Sequence, residues 1–354
     1  MYQKSVCQYL PNGYCINKRV HICVYLCIEE MSIKPLNQIF VKEIMTNVII
    51  TGGSGTIGTR LSQLLIQKGY KVTILTRNPE KKKSVHSNIV YAKWDVEAGW
   101  LDKDAFQEAN YIINLAGASV AEKSWTEERK KEILESRVKS SELIVKSIKE
   151  LPNQIKAVVS ASASGYYGAD NLLSLNDGFT EDDPAATDFL GDVCKDWEDS
   201  IEPVTALGKR LVILRTGIVL SKKGGAYAEF AKPVKFRVAP VLGGGKQIVS
   251  WIHEDDICNM YIAAMENERY KGAYNAVAPY PVMNKELIYS IARSYGKWFI
   301  PVGVPAFALN LAMGELASEI LKSAHLSSKK VESEGFQFKF PHIQEATENL
   351  ARKN

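Results

Sequence analysis

The segment of residues 48–75 constrains the fold more than any other, because a glycine-rich loop joins two apolar runs. The first run, Val48-Ile49-Ile50, is continuous and β-branched, which is typical of a buried parallel strand. The loop TGGSGTIG (residues 51–58) follows, then a helical pattern that stops at Gly69 and a second apolar run at 71–75. This order predicts a strand, a tight glycine turn, a helix and a second strand, which is the framework of a dinucleotide site.

Each glycine of the loop has an expected task in such a site. Gly52 permits the tight turn, Gly55 lets the backbone approach a pyrophosphate, and Gly58 lets the helix pack closely. The helix N-terminus would present free N–H groups to the phosphates. The residues predicted to contact the cofactor are Gly52, Ser54, Gly55, Thr56, Ile57, Gly58, Arg77, Leu115, Ala116 and Gly117.

The end of the second strand indicates which cofactor is preferred. Sites that select NAD(H) place Asp or Glu there to hold the ribose 2′-hydroxyl. Here Thr76 and Arg77 follow the strand, with Lys81, Lys82 and Lys83 close behind. A guanidinium suits a 2′-phosphate, so the sequence favours NADP(H) over NAD(H). The alternative is that Arg77 is a solvated loop cation.

Two further strands, at 111–115 and 155–160, alternate with helical patterns and predict an α/β fold with a Rossmann-type, doubly wound parallel sheet. The helix between them has the capping pattern Ser124…Glu127, and Leu134, Val138, Val145 and Ile148 as its apolar face. The regular alternation of strands and helices ends near Gly224. We therefore expect an NAD(P)-binding domain at 45–223, and a mixed region at 224–354 that returns to the sheet and forms a smaller C-terminal, substrate-covering lobe.

The first 44 residues differ from the rest, since they hold four of the six cysteines and show no sustained period. Our hypothesis is that Met45 is the natural start and that 1–44 is a disordered tail or a start-site artefact. The net charge is only +4, which predicts neither nucleic acid nor a membrane as partner. The sparse cysteines of the body favour a cytoplasmic location, and no metal site is expected.

Several motifs together resemble the extended short-chain dehydrogenase/reductase superfamily, and more narrowly its atypical "epimerase family" oxidoreductases, over nearly everything from Met45 onward. The motifs are TGGSGTIG (51–58), NLAG (114–117), SWTEER (124–129), SASASGYYG (160–168), CKDWE (194–198), LRTGIVLS (214–221), GGGKQ (243–247), SWIHEDD (250–256), VPAF (304–307) and EGF (334–336). The resemblance implies the superfamily's catalytic set of Ser or Thr, Tyr and Lys, with Tyr and Lys as Tyr-x-x-x-Lys.

The chain departs from this set. Its only Tyr-x-x-x-Lys is Tyr14…Lys18, ahead of the first strand, and Phe189 stands where the resemblance places the tyrosine. The predicted replacements are Ser162, Tyr166, Tyr167 and Lys195. For the two tyrosines the alternative is packing, one under the nicotinamide and one in the core.

Three other features remain open at this level. His253 could act as an acid or base, while Asp256 is expected to cap a helix beginning near Ile257. Arg215 could bind an anionic substrate group or form a structural ion pair. The helix at 307–313 is apolar nearly all round, which indicates burial or a partner surface. The expected partners are a small-molecule substrate and a second copy of the chain in a homodimer.

These features lead to two hypotheses from different classes. The first is an NADP(H)-dependent, epimerase-like oxidoreductase acting on an unidentified small polar substrate. The second is a catalytically silent NADPH-binding sensor or regulatory protein, which the missing tyrosine favours.

Overall fold

The computed structural model describes residues 45–352. Its strands are β1 (Asn47–Thr51), β2 (Lys71–Thr76), β3 (Ile89–Asp95), β4 (Trp100–Leu101), β5 (Tyr111–Asn114), β6 (Ala157–Ala163), β7 (Arg210–Thr216), β8 (Ile218–Leu220), β9 (Val238–Leu242), β10 (Ile248–Val249), β11 (Trp251–His253), β12 (Gly272–Ala276), β13 (Val282–Met283) and β14 (Ile300–Val304). Its α-helices are α1 (Thr56–Gln67), α2 (Lys103–Gln107), α3 (Glu127–Glu150), α4 (Ser174–Asp177), α5 (Phe189–Ile201), α6 (Gly225–Lys235), α7 (Glu254–Glu266), α8 (Asn284–Ser294), α9 (Ala306–Met313), α10 (Leu316–Leu321), α11 (Lys329–Ser333) and α12 (Ile343–Ala351).

The main sheet has eight strands in the order β12-β7-β6-β5-β1-β2-β3-β4. All neighbours are parallel except β4, which runs antiparallel to β3. The chain leaves β1 in one direction through β2 and β3, and later returns to the other side of β1 as β5. Ligands of open α/β sheets bind at such a switch point, outside the carboxyl ends of the strands. The predicted α/β class and Rossmann-type sheet are confirmed.

Alternating residues of β1 enter two cores, one on each face of the sheet. Val48 and Ile50 pack in a cluster that includes residues of α1 and α7, such as Leu61 and Tyr261. Ile49 packs on the opposite face with residues of α3, including Ile144 and Ile148. Burial of both faces explains why this strand is continuously apolar.

The region after β7 builds a further layer and then rejoins the sheet. α6, α8 and α12 enclose a third cluster, which contains Tyr227, Trp251 and Leu287. Two small pairings, β11 with β8 and β14 with β9, lie outside the main sheet, whereas β12 pairs with β7 at its edge. The boundary placed at residues 223 and 224 stays a prediction.

Two details of α3 differ from the sequence expectation. Its N-cap is Thr126, whose hydroxyl accepts from Arg129 N–H, and not Ser124. Its buried apolar face is Ile133, Leu143, Ile144 and Ile148, while Leu134, Val138 and Val145 are only half-buried. The pattern misled because the buried face also carries three serines, Ser140, Ser141 and Ser147, which satisfy their hydroxyls partly on α3's own carbonyls.

Of the two interpretations of the apolar helix at 307–313, burial within the chain is wrong, and a partner surface stays a prediction. In α9 the side chains of Phe307 and Leu311 are 75% and 88% exposed, and only Leu309 is buried. Side chains project from all sides of a helix, so one neighbouring element covers only part of a helix that is apolar all round.

The hypotheses on the early cysteines, on Tyr14…Lys18 and on a start at Met45 lie outside the described residues. Within the described part, no helix is both long enough and apolar enough to cross a membrane.

Candidate functional site

The glycine loop after β1 is shaped by contacts that leave no room for side chains. Gly52 has φ +65°, and a Cβ there would lie 2.7 Å from the carbonyl oxygen of Leu115. A Cβ on Gly58 would lie 2.6 Å from the Cα of Gly53. A Cβ on Gly53 would lie 2.8 Å from the Ile74 side chain, a requirement that sequence reasoning missed. The loop is therefore packed closely between β2 and the chain after β5.

Thr51 fixes the position of this loop against the loop after β5. Its hydroxyl donates to Asn114 Oδ1 at 2.7 Å and accepts from the N–H groups of Leu115 and Ala116 at 3.0 and 3.1 Å. Both side chains are fully buried. The sequence signal for them was a polar residue ending each apolar strand, and it was overlooked.

The N-terminus of α1 opens beside this loop. Its N-cap is Gly55, no side chain caps it, and the first turn holds no acidic residue. Uncapped N–H groups together with the positive end of the helix dipole suit an anion such as a phosphate. Ser54, Thr56 and Ile57 are half-buried or exposed and border it. A Cβ at Gly52 or Gly58 would clash with the backbone around this cradle and displace it, and the cradle's chemistry fits the pyrophosphate of a dinucleotide.

Arg77 is exposed directly after β2, as are the nearby Lys81, Lys82 and Lys83. Neither Arg77 nor these lysines forms an ion pair within the described part of the chain. No carboxylate stands at the end of β2.

A buried polar network crosses the carboxyl ends of β6, β7 and β12. Arg215 donates to both carboxylate oxygens of Glu198, at 2.9 and 2.8 Å, and to the hydroxyl of Tyr167 at 2.8 Å. Ser162 donates to Glu198 at 2.6 Å, and Tyr167 donates to Asn275 Oδ1 at 2.7 Å. Of the two interpretations of Arg215, the structure supports the ion pair.

The two adjacent tyrosines differ in environment. The Tyr167 hydroxyl is buried and uses both its donor and its acceptor capacity in the network, and burial raises its pKa. Tyr166 is half-buried, with its ring 3.5 Å from the Arg215 guanidinium carbon. Its hydroxyl makes no hydrogen bond within the described residues.

The start of α5 occupies the place where the resemblance puts Tyr-x-x-x-Lys. Phe189, its first residue, packs edge-on against Trp125 at 4.9 Å, and the ammonium of Lys130 lies 5.5 Å from the Phe189 ring centre. Val193, four residues on, is buried. Lys195 is exposed and paired with Asp199. Arg215 thus links Ser162, Tyr166 and Tyr167, while Lys195 lies outside that network; all four catalytic assignments stay predictions.

His253 has a structural environment. It is the N-cap of α7, where its Nδ1 accepts from the N–H of Asp255, and its ring packs on Phe340 at a centroid distance of 4.0 Å. Burial lowers its pKa to about 4. The expectation that Asp256 caps this helix is wrong, because Asp256 lies within α7 and accepts from the N–H groups of Lys339 and Phe340. No metal-binding cluster occurs among residues 45–352.

The sheet and the glycine loop define a Rossmann-fold protein with a nucleotide-binding site. Residues 48–189 match the NAD dependent epimerase/dehydratase family, and residues 304–350 match a domain of unknown function, DUF1731. An epimerase family protein of Staphylococcus aureus (strain MRSA252) is 33% identical over 313 residues, covering 87% of this chain and 100% of the relative.

Two solved structures of similar sequence have the same fold. Human epimerase family protein SDR39U1 (isoform 2) with NADPH is 28% identical with a TM-score of 0.74, covering 86% of this chain and 99% of that one. A nucleoside-diphosphate sugar epimerase from Corynebacterium glutamicum is 28% identical with a TM-score of 0.68, covering 87% of this chain and 58% of that one. The chain belongs to the NAD dependent epimerase/dehydratase family, among its epimerase family proteins with the DUF1731 C-terminal domain.

Proposed function

We propose that the chain is an NADP(H)-dependent oxidoreductase. The observation that carries the proposal is the glycine cradle at the uncapped N-terminus of α1, with Arg77 unpaired at the end of β2 within the described residues. Gly52, Gly55 and Gly58 would hold the pyrophosphate, and Leu115, Ala116 and Gly117 would line the ribose. Arg77 would bind the 2′-phosphate through charge-assisted hydrogen bonds. The human relative solved with NADPH supports this choice of cofactor.

A bound NADPH would supply a hydride, and the chain must then hold a proton for the substrate oxygen. Of the predicted catalytic residues, Tyr166 is best suited, because its hydroxyl is the accessible one and makes no hydrogen bond within the described part. Ser162 and Tyr167 are committed to the network around Arg215. In this proposal they position Arg215, which in turn holds the Tyr166 ring. Lys195 would act only by its charge. The substrate is a small polar molecule, and the proposed location is the cytoplasm.

A second candidate is a catalytically silent NADPH-binding protein. It is favoured by Phe189 and Val193, which place two apolar side chains where Tyr-x-x-x-Lys would stand. Such a protein would keep the cradle and lack turnover.

The test is a titration of the full chain with NADPH and NADH, followed by NADPH oxidation against a panel of carbonyl compounds. We expect NADPH to bind at least about tenfold more tightly than NADH, and Arg77→Gln to remove most of that difference. Lys149→Gln, which removes an exposed charge from α3, is the matched control and should retain the preference. Turnover abolished by Tyr166→Phe supports the oxidoreductase. Tight binding without turnover on any carbonyl supports the silent protein, and absence of NADPH binding would overturn both.

A further inference from the structure

Arg137, on the third turn of α3, lies against the loop that follows β5. Its Nη1 donates to the carbonyl oxygens of Ala118 at 3.0 Å and Ile133 at 2.8 Å. A Cβ added to Gly117 would lie 3.1 Å from the guanidinium carbon, so the missing side chain of Gly117 makes room for this group. The adjacent Ser136 hydroxyl accepts from Ala118 N–H at 2.9 Å. The guanidinium is therefore held at the carboxyl end of β5, beside the residues proposed to line the ribose.

No carboxylate pairs with Arg137 among residues 45–352. Arg210 of β7 also lacks a carboxylate, but three backbone carbonyls accept from it, whereas three other buried or half-buried arginines near the sheet have acidic partners. Arg215 pairs with Glu198, Arg129 with Glu132, and Arg60 with Asp255. Burial lowers the pKa of Arg137, and the nearby positive charge of Arg129 lowers it further. Two backbone carbonyls leave most of its five donors unused. A half-buried guanidinium without a counter-ion has lost part of its hydration, and an anion would compensate that cost.

Trp197 of α5 packs against the Arg137 guanidinium. The guanidinium carbon of Arg137 lies 5.0 Å from the centre of the Trp197 ring, which holds the planar group in a fixed orientation. Trp197 is buried, with 5% of its surface exposed. Its indole N–H is buried and has no acceptor within the described part of the chain. That donor is sealed off by burial, whereas Nε and Nη2 of Arg137 make no hydrogen bond within the described residues and are not sealed, so they remain available to a ligand that accepts.

We propose that Arg137 is a specificity-determining residue that binds an anionic oxygen group, carboxylate or phosphate, of the substrate. The proposal rests on the proposed function, because it places that group next to the cofactor site. Arg137 is half-buried, so part of its side chain is open to a ligand. Its planar fork suits bidentate binding of either anion. The substrate class is thereby narrowed from small polar molecules to small anions.

The experiment uses the full chain saturated with NADPH, with malonate and inorganic phosphate as separate probes, and measures binding by calorimetry and by the rise in melting temperature. We expect one of the two to bind saturably, and the better probe distinguishes a carboxylate from a phosphate group. Arg137→Gln keeps a donor for Ala118 and removes the charge, and should weaken that probe at least about tenfold. Lys149→Gln, with the same charge loss on the far end of α3, should not change it.

NADPH affinity is measured in the same samples. We expect it to stay within about twofold in Arg137→Gln, since Arg137 is assigned to the substrate and not to the cofactor. Arg137→Lys, which keeps the charge, should recover part of the probe affinity and provides the test if the Gln variant does not fold. Saturable binding of neither probe, unchanged probe affinity in Arg137→Gln, or a parallel loss of NADPH would each overturn the proposal. Failure of the wild type to bind NADPH would instead overturn the proposed function.

Discussion

Glu198 and Arg215 form a bidentate ion pair at the carboxyl end of β7, with nitrogen to oxygen distances of 2.9 and 2.8 Å. Both side chains are buried, at 11% and 6% exposure. Burial alone would lower the pKa of Arg215, but the hydrogen bonds and charges of Glu198 and Tyr167 raise it. The pair joins α5 to the sheet directly below the candidate active site.

Replacing one member of this pair should destabilise the fold strongly. Glu198→Gln leaves the buried guanidinium without a counter-charge, and we expect the free energy of unfolding to fall by about 3–5 kcal/mol in urea titrations. The control is Asp199→Asn, which breaks the exposed pair with Lys195 one residue along and should cost less than about 1 kcal/mol. Equal losses of unfolding free energy in the two variants would show that the buried pair stabilises the fold no more than the exposed pair.

Loss of the hydroxyl should reduce stability at Tyr167 and leave it nearly unchanged at Tyr166. Tyr167→Phe leaves the buried Asn275 Oδ1 without its donor, so stability should fall by about 1–3 kcal/mol. Tyr166→Phe removes a hydroxyl without a hydrogen bond in the described structure and should change stability by less than about 0.5 kcal/mol. Denaturant unfolding of both variants provides the comparison, and a reversed order would contradict the network.

The glycine cradle should not tolerate a methyl group at Gly58. In Gly58→Ala the new Cβ would meet the Cα of Gly53 at 2.6 Å and the oxygen of Gly52 at 2.7 Å, so the loop must shift. We expect NADPH affinity, measured by fluorescence titration, to fall at least about tenfold. Gly303→Ala, where no atom lies within 4 Å, is the control and should bind NADPH like the wild type. Unchanged affinity in Gly58→Ala would argue against a cofactor at this loop.

His253 should make stability depend on pH. Burial lowers its folded-state pKa to about 4 from an ordinary value of 6.5. Between these values the unfolded chain binds a proton that the folded chain does not, so stability is lost as the pH falls through this window.

The variant His253→Asn keeps an acceptor for Asp255 N–H and does not titrate. Its unfolding free energy, measured from pH 7 to pH 4, should therefore decline less steeply than that of the wild type, by about 1.4 kcal/mol per pH unit. Identical slopes would mean that the folded protein binds a proton at His253 as readily as the unfolded chain.

The cofactor loop was predictable because its geometry is local. Gly52, Gly55 and Gly58 lie within seven residues, and the steric demands on a strand-to-helix turn are met or violated within that span. The continuous apolar run of β1 predicted burial on both faces for the same reason, since the sheet's two layers impose it on any central parallel strand.

Local geometry did not predict which face of α3 is buried, or which of the two adjacent tyrosine hydroxyls is buried. Ser140, Ser141 and Ser147 lie on the buried face, so an apolar count identified only Ile148 of that face. It also selected Leu134, Val138 and Val145, which are half-buried. Tyr166 and Tyr167 are neighbours in sequence, and only Asn275, 108 residues away, determines which hydroxyl is buried.

The sequence by itself therefore determined the Rossmann architecture, the position of the glycine loop and the location of the candidate site at the carboxyl ends of β1, β5 and β6. These follow from hydrophobic periodicity and backbone sterics, which act over a few residues. Only the tertiary structure decided that Arg215 pairs with Glu198, that His253 caps α7 and that Arg137 has no acidic partner in the described chain. Hydrogen bonds and ion pairs depend on distances of a few ångströms between distant segments, and those distances exist only once the sheet and its helices have packed.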